Sequence, residues 1–125
     1  MKEVLQSIRP KWTEKIFRGV KTKELRKSKP AGIEIPFKVY VYETKPGAGV
    51  VIGEYICKGL ITSDFPEYFV HGSCVSPEDI KTYMGKGKIT AWDISDVVLY
   101  SKPVPLSDFG LGRPPQSWCY VERMV

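Results

Sequence analysis

The residues best equipped for chemistry fall within one short stretch, Gly19-Val20-Lys21-Thr22-Lys23-Glu24-Leu25-Arg26. An ammonium, a carboxylate and a guanidinium within six positions offer three kinds of chemistry. Lys21 can act as a base only if desolvation or cationic neighbours pull its pKa well below about 10.4, and Lys23 and Arg26 lie close in sequence. A neighbouring Glu24 acts the other way and keeps Lys21 a charged donor, suited to holding a phosphate or a carbonyl oxygen. Glu24 and Arg26, two apart, share one face of a strand, either as an ion pair or as a reading pair. In the second case the carboxylate accepts from an exocyclic amine of a base, and the guanidinium binds phosphate or a ring acceptor. Lys21 belongs to the opposite parity, so gathering all three requires an irregular backbone after Gly19, which glycine permits.

Other candidates lie farther off. Gln116 and Ser117 beside Trp118 offer amide and hydroxyl groups for reading a base edge, and Ser7 ends the first strand where it can face the same cleft. Tyr42, Trp92 and Trp118 are candidates for a stacking platform, with core packing as the alternative, whereas Trp12, Phe17 and Phe37 read as core. Cys57, Cys74 and Cys119 are scattered without a CxxC pair, and His71 is the only histidine. Neither a zinc site nor a disulfide framework is expected, no cofactor is implied, and a reducing cytoplasm fits this usage.

Charge is distributed unevenly. Residues 1–29 carry ten Lys or Arg against three Glu, a balance of +7, while the chain as a whole is +5. Such a face suits phosphates, because Lys and Arg replace condensed counterions; the alternative is an ordinary solvated surface. Arg9, Lys11, Lys15 and Lys23 are the phosphate candidates. The longest apolar runs are three or four residues, far short of the roughly 20 needed for a transmembrane helix. The first residues lack the apolar core of a secretory signal, so a cytoplasmic protein that does not enter membranes is expected.

The positioning elements follow from periodicity. Val4, Gln6 and Ile8 alternate with Leu5 and Ser7 as a strand, Pro10 opens a helix over about 10–18, and Gly19 stops it. Residues 21–27 read as a strand with a polar face, Phe37 to Tyr42 as a stronger strand, and Val50 to Leu60 as one long strand bent at Gly53 and Gly59. A short helix is expected to start at Pro66, and Ser76-Pro77-Glu78-Asp79 caps a firmer one that presents Ile80, Tyr83 and Met84 before Gly85 ends it. Residues 88–99 form one or two strands with a turn near Ser95-Asp96, Pro103 and Pro105 break regularity, and Trp118 to Val121 is the last strand. Such a pattern predicts one α+β domain over residues 1–125, a curled β-barrel of mixed strands with two or three short peripheral helices.

The eight residues from Gly19 to Arg26 fit the pattern GxKxxExR, and this resembles the signature of the ASCH (activating signal cointegrator homology) domains of the PUA-like superfamily. Ser7-Ile8-Arg9-Pro10 and Pro114-Pro115-Gln116-Ser117-Trp118 also look like stretches of its small bacterial and phage members. The likeness implies a PUA-like barrel with a cleft beside the motif that binds RNA or a modified nucleoside or nucleotide, through Ser7, Arg9, Lys21, Lys23, Glu24, Arg26, Gln116 and Trp118. It also implies an alternative: an enzyme, either an acetylcytidine-type amidohydrolase or a metal-independent ribonuclease, with Lys21 and Glu24 as its catalytic groups. Lys21 falls on the amidohydrolases' lysine, but Glu24 stands at the position of their threonine. Ahead of the second main helix, where they carry a glutamate, this chain has His71 and Gly72. A binding module, an enzyme and a protein-binding domain with an incidental basic face thus remain the three readings.

Overall fold

A computed structural model describes residues 2–122. Its elements follow in the order β1 (Lys2–Ile8), α1 (Pro10–Phe17), β2 (Lys23–Arg26), β3 (Phe37–Glu43), β4 (Val51–Cys57), β5 (Leu60–Ser63), α2 (Pro77–Met84), β6 (Ile89–Asp93), β7 (Ser95–Val104) and β8 (Trp118–Glu122). Single 3-10 turns cover Pro66–Phe69 and Leu106–Phe109. The mixed α+β class is the expected one.

The strands divide into a five-stranded sheet in the order β7-β4-β3-β1-β8 and a three-stranded sheet in the order β2-β6-β5. β1 runs parallel to β3 and antiparallel to β8, which makes the large sheet mixed. The expected barrel is therefore not closed by a continuous backbone ladder. The expected long strand over 50–60 is in fact two: β4 stays in the large sheet, Lys58 and Gly59 break the run, and β5 joins the small sheet beside β6. The Gly59 carbonyl accepts from the Asp93 amide at 3.0 Å, so the break is tied to the end of β6. β7 continues through Pro103 to Val104, although its register against β4 shifts twice.

Burial explains the arrangement. β1 is buried at six consecutive positions from Glu3 to Ile8, as a central strand covered on both faces must be. Its even side chains Val4 and Ile8 join Val39, Val41, Tyr55, Trp92, Ile94 and Ile16 in one apolar cluster, while Leu5 joins Tyr40, Tyr42, Val51 and Val121 in a second. A third cluster, Phe69, Ile80, Met84, Ile89 and Ala91, fastens α2 and the first 3-10 turn to the small sheet. Helix α2 starts as its sequence predicts: the Ser76 hydroxyl accepts from the Asp79 amide at 3.1 Å, with Pro77 in the first turn.

Gly53 shows why one position must lack a side chain. A Cβ built there would lie 2.4 Å from the Val98 carbonyl and 2.6 Å from the Phe17 ring. The end of α1 thus packs directly on the β4 backbone at a point where β7 also changes register. Gly53→Ala is expected to lower stability by about 1–3 kcal/mol through overpacking, measured by chemical denaturation.

Candidate functional site

Gly19 adopts φ +78°, and its amide and that of Val20 bond back to the carbonyls of Ile16 and Lys15, closing α1 with a left-handed residue. The chain then runs irregularly through residues 20–22 before β2 begins at Lys23. This detour removes the parity obstacle. Lys21 lies off the strand, and its side chain meets Glu24 and Arg26 in one cavity. The Thr22 and Lys23 amides both donate to the Gly72 carbonyl, at 2.7 and 3.0 Å, so the segment before α2 fixes the detour. Gly72 has φ +85°, and a Cβ there would fall 2.5 Å from the Thr22 hydroxyl, which is why this approach needs glycine.

The cavity has a volume of about 620 Å³ and is lined by Ser7, Arg9, Trp12, Lys21, Glu24 and Arg26 together with Leu25, Thr44, Val75, Ile80, Tyr83, Gln116 and Ser117. It opens between the two sheets and between α1 and α2. Its size is that of an ordinary small-ligand cleft.

Arg26 spans the seam between the sheets. Its Nε and Nη2 donate to Glu24 Oε2 at 2.8 and 2.6 Å, and Nη2 also donates to the Ser7 carbonyl at 2.8 Å. Nη1 donates to the Ser117 carbonyl at 3.2 Å and the Ser117 hydroxyl at 3.0 Å. Five contacts match the five N–H groups of a guanidinium, which leaves none for a ligand. The sequence left a reading pair and an ion pair open for Glu24 and Arg26; the geometry is that of the ion pair, and it holds β2 to β1 and to the approach to β8.

Lys21 is the second buried charge, with 2% of its surface exposed. Its Nζ donates to the Ser73 carbonyl at 2.5 Å, lies 3.6 Å from Glu24 Oε1 and sits 4.6 Å from the centre of the Trp12 ring. Burial pulls the ammonium below the ordinary lysine range, and the Glu24 carboxylate pushes back without cancelling that effect. Arg26 occupies Glu24 Oε2, so the groups left to meet a ligand here are the Lys21 ammonium and Glu24 Oε1.

The remaining predicted residues separate into two groups. Ser7, Arg9 and Gln116 line the cavity, although the Ser7 hydroxyl is engaged with the Pro115 carbonyl at 2.7 Å. Lys23 and Trp118 are not among its lining residues. Trp118 instead packs edge-on against Trp92 and Tyr120 and donates from its indole to the Ser28 hydroxyl at 2.9 Å. The stacking candidates Trp92 and Tyr42 are core residues, 0% and 4% exposed. Two other aromatics line the cleft in their place: Trp12 of α1, which reads as core, and Tyr83 of α2, which shares a face with Ile80 and Met84 and is 41% exposed with Lys27 5.0 Å above its ring. Helical periodicity groups both with buried neighbours; only the meeting of the two helices across the cleft sets them apart. No group of three or more His, Cys, Asp or Glu among the described residues is placed to hold a metal ion.

Two outcomes follow from these buried charges. Arg26→Ala strands the Glu24 carboxylate and two carbonyls, and should cost about 3–5 kcal/mol in denaturation experiments, with Arg26→Lys failing to restore the fork. Lys21 carries a lowered pKa in the fold, so the unfolded chain holds its proton more firmly, and the contribution of this residue to stability should rise as pH climbs from the folded pKa towards the unfolded value. The difference in unfolding free energy between the wild type and Lys21→Met, followed from neutral pH to about pH 10, isolates that rise.

No protein-family model matches the chain, and no curated protein does. Solved structures match it over nearly its full length. The ASCH protein of Zymomonas mobilis aligns at 22% identity with a TM-score of 0.83, covering 97% of this chain and 88% of its own. A tyrosine-to-phenylalanine variant of that protein gives 22% identity and a TM-score of 0.85, covering 99% and 93%, and a serine-to-alanine variant 21% and 0.84, covering 98% and 89%. The resemblance carried by Gly19 to Arg26 thus reappears in the architecture around it, and the chain has the fold of the ASCH domains.

Proposed function

We propose that the chain is an RNA- or nucleotide-binding module whose ligand enters the cleft beside Lys21 and Glu24. The observation that carries this reading is the buried ammonium next to a carboxylate oxygen, 3.6 Å apart, at the base of an open cavity. A donor beside an acceptor at that spacing suits the edge of a nucleobase, where hydrogen-bonding groups of both kinds stand side by side. Trp12 and Tyr83 add aromatic surface, and Arg9 at the rim adds a charge suited to phosphate. Lys11 and Lys29 are exposed as well, and Arg18 is exposed in an ion pair with Glu14.

A second reading rests on the lowered pKa of Lys21. Burial lowers the pKa of Lys21, the direction that a proton-taking lysine of an amidohydrolase or a metal-independent ribonuclease of the kind implied by the family would require. Of the residues implied as catalytic, Glu24 is tied to Arg26 by one oxygen and keeps only the other for such work.

Fluorescence polarisation of labelled single-stranded RNA against salt, with Lys21→Met and Glu24→Gln beside the wild type, tests the first reading. Lys21→Met is expected to weaken binding about tenfold while leaving the slope of log affinity against log salt unchanged, since a base-edge contact is lost and no phosphate contact. Glu24→Gln should change ligand choice, because an amide donates where a carboxylate only accepts. Turnover of acylated nucleosides or of RNA that Lys21→Met abolishes while binding persists would establish the second reading instead. If neither variant changes binding or turnover, the cleft is not the site.

A further inference from the structure

Each aromatic wall of the cleft carries a lysine on its outer side. Lys11 Nζ stands 4.6 Å from the centre of the Trp12 ring on α1, and Lys27 Nζ stands 5.0 Å from the centre of the Tyr83 ring on α2. Both rings line the cavity, whereas both lysines are exposed and line none of it. The two ammoniums thus flank the mouth from its two sides. Neither forms an ion pair with a described residue. Of the carboxylates on these walls, Glu14 of α1 is taken by Arg18, and Glu78 and Asp79 of α2 sit in its first turn, where they favour the helix dipole. An exposed cation–π contact is weaker than the stacking of a base on the same ring, so a base that enters the cleft can take the ring face and release the ammonium. A freed cation then stands on either side of that base, outside the cavity that holds it.

We infer that the cleft takes an inner nucleotide of a single-stranded nucleic acid, with its base in the cavity and one backbone phosphate on each side, the first at Lys11 and the second at Lys27. The inference rests on the reading of the cleft as a base site. A free nucleoside brings neither phosphate and a monophosphate only one, whereas a strand crossing the mouth brings both and is held in register by them. Arg9, which lines the cavity beside α1, supports the Lys11 side.

Calorimetric titrations with a nucleoside, its 5′-monophosphate, its 3′,5′-bisphosphate and the trinucleotide centred on it, run for each RNA base, test the inference. For the base that binds, the bisphosphate should exceed the nucleoside about a hundredfold in affinity, about tenfold per phosphate, and the trinucleotide should match it. Lys11→Met and Lys27→Met should each cut that advantage about tenfold, whereas Lys102→Met on β7 should leave it intact. All three side chains are exposed, and circular dichroism checks each fold. The proposal is overturned if the phosphates add no affinity or if their gain survives either cleft variant. It is also overturned if the bisphosphate binds more than about tenfold tighter than the trinucleotide, which would mark a free nucleotide as the ligand. Failure of the underlying base-site reading is distinct and takes the proposal with it: no probe binds, or Lys21→Met leaves every affinity unchanged.

Discussion

One guanidinium fastens the seam between the two sheets. The two sheets share no backbone ladder on the side where β2 faces β1 and β8, and Arg26 fills that gap with hydrogen bonds to Glu24, Ser7 and Ser117. A ladder would have sealed the space between the sheets. Along this seam a side-chain clasp stands in place of a ladder and a cleft lies beside it, while Trp92 and Ile94 pack the two sheets together in the apolar core. Buried ion pairs recover their desolvation cost only with well-formed geometry and full hydrogen bonding, and Arg26, with each N–H engaged, meets that condition.

The clasp also sets the electrostatics of the cleft. By occupying Glu24 Oε2 it fixes the carboxylate, and the fixed carboxylate in turn faces the Lys21 ammonium with its other oxygen. Lys21 stays buried because Glu24, the Ser73 carbonyl and the Trp12 ring surround it, each supplying negative charge or electron density. Two cations therefore share one carboxylate, but only one of them has capacity left over. Arg26 is the fastener and Lys21 the cation with fewer fixed partners, a division that comes from their donor geometry: a fork suits several fixed acceptors, a point charge suits few.

The structural neighbours add the fold and nothing finer at 21–22% identity, since folds of this kind carry many functions. The functional reading accordingly depends on the local geometry. Lys21 next to Glu24 Oε1, with Trp12 and Tyr83 as walls and Arg9 at the rim, is a specific arrangement, and its parts come from the stretch between Arg9 and Glu24 and from α2, far along the chain.

Much of the fold was legible in the residues themselves. Pro10 and Gly19 bracketed α1, Ser76-Pro77 marked the start of α2, and alternation placed β1, β3 and β8 to within about a residue or two. These signals are local: caps, turns and side-chain parity act within a few positions and need no partner. The motif residues Lys21, Glu24 and Arg26 were legible as a group for the same reason, including the need for an irregular backbone after Gly19. What sequence alone could not decide was everything that depends on distant surfaces meeting. Residues 50–60 read as one strand because nothing nearby says that β4 and β5 belong to different sheets. Trp118 and Lys23 looked suited to the cleft and do not line it, while Trp12 looked like core and lines it opposite Tyr83, because an aromatic on an apolar face has the same periodicity whether a neighbour covers it or a cavity opens beside it. Whether Arg26 reads a ligand or clasps two sheets was equally undecided, since its five hydrogen bonds go to Ser7, Glu24 and Ser117, and only tertiary folding brings residues 7 and 117 to one guanidinium.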